Sequence, residues 1–399
     1  MLRGAERWIG GYAASVLRRR QTHDVRHLLF CIADHYEPFE RTVMPSGEVT
    51  GGRTLAEACA GIRDWCAAYA GMASGLADAD GRPPQHTFFY PWDEYEPDCL
   101  DLLGDFCQRG LGEVELHLHH RHDTAEGLRG KLSACRDAYA GRHGFLGRMA
   151  GDGSARYAFV HGNWALCNSR PDGDWCGVDQ ELSVLRETGC YADFTFPSAP
   201  SPTQPRFVNA PYYGVDPEEG GHGHRFLHRV RVDRPGGQSG GGGLLFIPGP
   251  LGLNWSSRKL GILPRVENGE ISAIHPATAG RLALWMRLQV AVEGRPDWLV
   301  VKLHTHGMST RSRAGVLGPA MRRFHEELRG RCAESKGRLL LHYVTARELY
   351  NIVKAAESGA EGNPGAYRDF VIKPPPCRQQ FALWPSTCQS GQSPTLQIP

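Results

Sequence analysis

Seven short apolar runs recur along the chain, each closing on polar residues. They are HLLFCIAD (27–34), HTFFYPWDE (86–94), EVELHLHH (113–120), RYAFVHGNW (156–164), YADFTF (191–196), DWLVVKLHTH (297–306) and RLLLHYVT (338–345). Their length and their aromatic and β-branched content predict strands. Between most of them lie stretches with apolar residues at three- and four-residue spacing, which predict helices. Examples are TLAEACAGIRDWCAAYAG (54–71), AEGLRGKLSACRDAYAG (125–141) and ATAGRLALWMRLQVAVEG (277–294). Strand alternating with helix predicts parallel βαβ units. Seven such strands in one chain point to an α/β, TIM-like barrel spanning residues 25–355.

Three stretches break this rhythm. Residues 200–275 are rich in Gly and Pro, contain GGQSGGGG at 236–243, and include strand-like pieces such as HRFLHRVRV and GLLFIPG. They predict a β-rich insertion between the fifth and sixth barrel strands, a lid or flap. Residues 356–399 carry GNPGAY, KPPP and WPSTCQSGQSPTLQIP, a composition that predicts a disordered or loosely draped tail. Residues 1–24 predict an N-terminal helix, and WIGGYAASVLRRR leaves room for peripheral contact with a membrane surface. The basic residues of that segment follow the apolar ones, the reverse of a secretory signal. No apolar run reaches the roughly 18–20 residues of a membrane span. A cytoplasmic protein is therefore expected.

Side chains on a strand alternate between two faces. In EVELHLH, Val114, Leu116 and Leu118 share one face, and Glu113, Glu115, His117 and His119 the other. In a βα barrel the second set looks inward, with His119 nearer the C-terminal mouth. Lys302, His304 and His306 share a parity on the sixth strand, as do His161 and Asn163 on the fourth. Asp34 ends the first strand, Asp193 lies on the fifth and His342 on the last. Ionisable residues thus gather at the C-terminal ends of several strands, where βα barrels build active sites. Burying so many polar groups is costly unless they pair or bind a metal. His117 and His119 can reach one cation, and imidazole suits zinc and its neighbours. His122 and Asp123 fall where the third strand gives way to a helix, within reach of the mouth. Trp92, Tyr95, Trp164 and Phe194 lie near strand ends; Trp92 and Trp164 are the candidates to stack on a sugar ring.

Composition narrows the partners. A net charge of +2 over 399 residues gives no electrostatic reason to expect nucleic acid. The 12 cysteines are scattered singly with no CxxC pair, which predicts reduced thiols and argues against a cysteine-built zinc site.

The order of these motifs resembles that of the polysaccharide deacetylase superfamily, the NodB-homology group. The family's first motif is a strand ending in two aspartates; here IADHYEP places Asp34 at the first and His35 at the second. Its second motif pairs a strand histidine with a downstream HxxxH; EVELHLHHRHDT offers His117 or His119, with Asp123 where the last histidine would fall. FVHGNWAL stands in place of the family's Arg-Pro-Pro-Tyr segment, with Asn163 or His161 in place of the arginine. Asp193 in CYADFTFPS matches the fourth motif, and His304 in KLHTHG the last. The resemblance implies a distorted (β/α)7 barrel and a divalent metal, zinc for choice, held by His35, His117 and His119. It further implies Asp34 as general base and His304 as general acid. Glu37, His122, Asp123, His161, Asn163, Asp193 and His306 are further ligands or supporting residues. The implied activity is hydrolysis of an acyl group from an amide or ester on a carbohydrate.

Three other readings compete. An amidohydrolase-type barrel also uses a His-x-His pair, but on its first strand rather than its third. A glycoside hydrolase would pair carboxylates, for instance Asp34 with Glu94 or Asp193. A catalytically inactive barrel would bind a glycan or a partner protein through the same rim.

Overall fold

The computed structural model describes residues 4–18, 25–43, 49–218, 221–233 and 242–379. All seven expected strands form. They are β1 (His27–His35), β2 (His86–Pro91), β3 (Gly112–Leu118), β4 (Ala155–His161), β5 (Cys190–Asp193), β11 (Trp298–Thr305) and β12 (Leu340–Tyr343). Between β5 and β11 lie β6 (Tyr212–Val215), β7 (Arg225–Arg229), β8 (Leu244–Phe246), β9 (Gly252–Lys259) and β10 (Leu263–Glu267). One large, mostly parallel sheet has the order β7-β6-β8-β5-β4-β3-β2-β1-β11. Along this path, among the described residues, β6 alone runs against its neighbours.

β1 is the hub of this sheet. It pairs with β11 along its length, from His27 opposite Trp298 to Asp34 opposite Thr305. Its other edge is shared: β12 takes residues 27–30 and β2 takes residues 33–35. No ladder among the described residues joins β11 back to β8, so backbone pairing does not close the sheet as a barrel requires. Instead Lys302 Nζ, from β11, donates to the carbonyls of Phe194 at 2.6 Å and Phe196 at 2.8 Å.

Both faces of the sheet are covered. One packs Phe30, Ile32, Phe88, Val114, Leu116 and Phe159 against helices α2 (Leu55–Ala73), α3 (Pro97–Gln108) and α4 (Ala125–Asp137). Thr54 opens α2 with a capping box, its hydroxyl accepting from Glu57 N while Glu57 reaches back. The other face packs Leu29, Cys31, Ala33, Phe89, Ala158, Val160 and Val300 against α9 (Ala346–Glu357). We call this second face the inner one. α9 covers its N-terminal half, and the C-terminal ends of the strands form a rim beyond it.

The expected insertion is β-rich, but β6, β7 and β8 belong to the main sheet rather than to a lid; only β9 and β10 form a separate hairpin. The Gly-rich run at 236–243 lies largely outside the described residues. The expected loose tail is corrected for 356–379. Ile372 and Lys373 pair with a short strand, Gly147–Met149, and Arg368 is buried with ion pairs to Asp78, Asp80 and Glu348. Asp78 and Asp80, which help draw this segment in, are nearly 300 residues from it in sequence, so composition alone misses them. Residues 380–399 lie outside the described residues. The N-terminal helix is α1 (Ala5–Arg18), docked by Trp8 among Ala199, Val208 and Leu251. No described helix is long and apolar enough to cross a membrane, and no two described cysteines form a disulfide.

The inward carboxylates at the closed end are satisfied within the protein. Glu115 accepts from Ala158 N at 2.6 Å and from the Tyr191 hydroxyl. Burial pushes its carboxyl up from an ordinary 4.5 to about 8. The folded chain therefore holds a proton that the unfolded chain gives up between pH 4.5 and about 8. This group's stabilisation is complete below that window and is lost as pH rises through it. Glu115→Gln, which keeps an acceptor for Ala158 N, is expected to flatten the pH dependence of unfolding by a few kcal/mol across the window. Denaturant melts of both proteins from pH 5 to 8 check this; parallel pH profiles would refute it.

Candidate functional site

The rim is built by residues two apart on extended chain, which fall on one side. β1 places His35 inward, and its continuation, held by Tyr36 N donating to Phe89 O at 3.0 Å, brings Glu37 to the same side. β3 brings His117 and His119 inward, their ring centres 4.5 Å apart. β11 brings His304 and His306, whose rings lie 6.4 and 4.8 Å from that of His35. The shared parity read for His117 and His119, and for His304 and His306, matches this arrangement.

Glu37 is the hinge of the cluster. Its Oε1 lies 3.3 Å from His117 Nε2 and 3.4 Å from His119 Nε2. His117 Nδ1 meets the Val160 carbonyl at 2.8 Å. A carbonyl only accepts, so Nδ1 carries the proton and Nε2 offers its lone pair. One ligand atom each from His35, Glu37 and His117 lies within 4.8 Å of the others, close enough for a single cation. These groups also sit in their ligating forms. Burial and the neighbouring His306 and His117 hold His35 well below the usual histidine range. Glu37 stays ionised: burial opposes this, but the neighbouring imidazoles, His119 and His306 among them, prevail.

His119 is oriented from behind. Its backbone N–H donates to Asp93 Oδ1 at 2.9 Å, and its Nδ1 stands 3.1 Å from Asp93 Oδ2. Against the effect of burial, Asp93 and Glu37 raise its pKa well above the ordinary value. Gly162 packs against this ring so closely that a Cβ there would collide with it. The chain then passes through Asn163 and Trp164, both with positive φ (55° and 54°), a strained pair of non-glycine residues. That turn sets Trp164 over the rim, 6.2 Å from the rings of both His35 and His306. Its buried Nε1 has no hydrogen-bond partner.

No protein-family model matches this chain, and no curated protein matches it in sequence.

Several expected residues stand elsewhere. Asp34 points to the opposite face with Phe30 and Ile32, where His86 Nε2 bonds it at 2.8 Å and Gly307 N donates to it at 2.6 Å. It anchors the turn that carries His306; alternation places it away from its neighbour His35. His161 shares the parity of Phe159 and also points outward, toward His120 and Glu181. Asp193 accepts from the backbone and hydroxyl of Thr195 at 3.0 and 2.7 Å. Asp123 caps Thr124 N and pairs with Lys131, and His122 is exposed. Trp92 packs on Tyr95 and Tyr139 on the helix side. His342, expected with the mouth residues, bonds Asp80 and His27 at the other end of the sheet. Asp93 was missed by the parity argument because it follows β2 in a one-turn 3-10 segment, Trp92–Glu94.

Two further groups bring possible ligand atoms together. In the group of Asp78, Asp80 and His342, the two aspartates already hold the Arg368 cation and His342 bonds Asp80. His120, His161, Cys176 and Glu181 are wholly buried.

Proposed function

We propose that the rim holds a divalent cation, zinc by ligand type, and that the chain hydrolyses an acyl amide or ester on a carbohydrate. The observation that carries this reading is the convergence of His35, Glu37 and His117 on one point, with ligand atoms mutually within 4.8 Å. The donor set fits the ion: two imidazoles that burial keeps neutral and one carboxylate held ionised. The alternation of apolar strands and helices, with the inner face filled between β1, β4, β11 and α9, supports a barrel-like sheet left open between β8 and β11.

A cation bound there would polarise the acyl carbonyl and acidify a coordinated water. The chain's own groups do the rest. His119, held protonated between Asp93 and Glu37, is placed to donate from Nε2 to the oxyanion that forms as water attacks. His306, half-buried on the far side of His35, is placed to protonate the leaving amine or alcohol, in preference to the more enclosed His304. Trp164 offers a ring face for a sugar. A paired-carboxylate glycosidase finds less support, because Asp34, Glu94 and Asp193 are each bonded to different partners.

Release of free amine from a panel of N-acetylated sugars, before and after chelation, tests the assignment. Activity that falls on chelation and returns with zinc is expected; no acyl release from any member with metal bound would favour a glycan-binding role. His306→Ala is expected to lower kcat by on the order of 10²-fold or more, with metal content unchanged. A larger loss in His304→Ala than in His306→Ala would reverse the assignment of the acid.

A further inference from the structure

A second ligand cluster lies on the opposite side of β3 and β4 from the rim. We propose that His120, His161, Cys176 and Glu181 form a closed metal site that holds a structural zinc ion. His120 follows β3, His161 ends β4, Cys176 lies in the long connection after β4, and Glu181 opens α5 (Glu181–Glu187). All four are buried, with exposures of 5% for His120 and 0% for the others.

One ligand atom from each residue lies within 4.8 Å of the others, so all four can reach one ion. Glu181 Oε1 lies 3.3 Å from His120 Nε2 and 3.4 Å from His161 Nε2, and Glu181 Oε2 lies 3.3 Å from Cys176 Sγ. A tetrahedral zinc with bonds of about 2.0–2.3 Å sets its ligand atoms roughly 3.3–3.8 Å apart. His161 Nε2 has no hydrogen-bond partner although it is fully buried. Such an atom is costly unless something occupies its lone pair.

The surroundings orient each ligand. His161 Nδ1 bonds the Gly162 carbonyl, which leaves Nε2 as the free lone pair. His120 Nδ1 faces Asp123 Oδ2 at 3.4 Å, a carboxylate behind the imidazole. Glu181 Oε2 accepts from Cys167 N at 2.6 Å. One thiolate and one carboxylate balance a dication, which suits a site from which water is excluded. Four protein ligands leave no open position, so the role is structural. Binding displaces the Cys176 thiol proton to solvent and ties the connection bearing Trp164 to the ends of β3 and β4.

The test uses the full chain, its metal content measured by mass spectrometry and its cobalt-substituted form by absorption. Wild type is expected to hold two equivalents of metal, and the cobalt form to show thiolate-to-metal charge transfer. Removing the rim ligands (His35→Ala with His117→Ala) should leave one equivalent with that absorption intact. Cys176→Ser should lose one equivalent and the absorption; if this variant does not fold, the rim variant alone decides. A rim variant that holds no metal, or charge transfer that persists in Cys176→Ser, would overturn the proposal. If the rim binds no metal, wild type itself carries one equivalent with the absorption, so the two readings fail separately.

Discussion

Glu37→Ala is expected to cost about a thousandfold in turnover on an acylated sugar while the chain stays folded. Glu37 is the one anionic ligand in the rim set and faces both His117 and His119. Without it, two neutral imidazoles hold a dication weakly at a partly open rim. Loss of a polarising metal removes several kcal/mol of transition-state stabilisation, and about 4 kcal/mol corresponds to roughly a thousandfold. Glu37 is a quarter exposed and its ion pairs are to the rim histidines His117 and His119, so the metal-free variant should melt with the metal-free wild type. Glu37→Asp, which keeps the charge on a shorter stem, should recover part of the metal affinity. Turnover close to wild type in Glu37→Ala at saturating zinc would remove Glu37 from the ligand set.

Arg347→Ala is expected to have the largest effect on stability, about 3–5 kcal/mol, the usual result of breaking a buried ion pair. Arg347 opens α9 on the inner face and is 1% exposed. Its Nη2 lies 2.8 Å from Glu113, and its Nη1 donates to Asp369 at 2.7 Å and to the Ile372 carbonyl at 2.8 Å. One guanidinium thus joins an inward carboxylate of β3 to the segment after α9. Alanine strands Glu113 in a dry interior with Arg378 as its remaining cation. Truncation after residue 357 removes Asp369, Ile372 and Arg378 together and should destabilise the fold at least as much. Chemical denaturation of the full-length variant checks the first claim; a loss under about 1 kcal/mol would mean that water reaches Glu113 and that the inner face is not closed.

The strands were readable because each is a compact apolar run between turn residues, and the same property hid which face is which. A strand covered on both sides lacks clean alternation of apolar and polar residues. In β3 the inner positions are charged or histidine throughout, so His117 and His119 declared themselves. In β1 both parities are apolar, and Asp34 and His35, adjacent at its end, could not be sorted. A finer signal was present: Phe30 and Ile32 share the parity of Asp34, whereas the smaller Cys31 and Ala33 share that of His35. β4 repeats it, with Tyr157 and Phe159 in step with His161, and Ala158 and Val160 facing inward. The larger residues meet the helices, and the smaller ones fit the concave side under α9. The buried His120–His161–Cys176–Glu181 group was beyond reach, because four separated segments supply one ligand each and no pair has a recognisable spacing.

Anomalous diffraction at the zinc edge, from crystals of the metal-loaded full chain, tests the central claim most directly. A peak bonded to nitrogen atoms of His35 and His117 and to a carboxylate oxygen of Glu37, at about 2.0–2.2 Å from each, is expected. A fully loaded protein with no peak between those three side chains would contradict it.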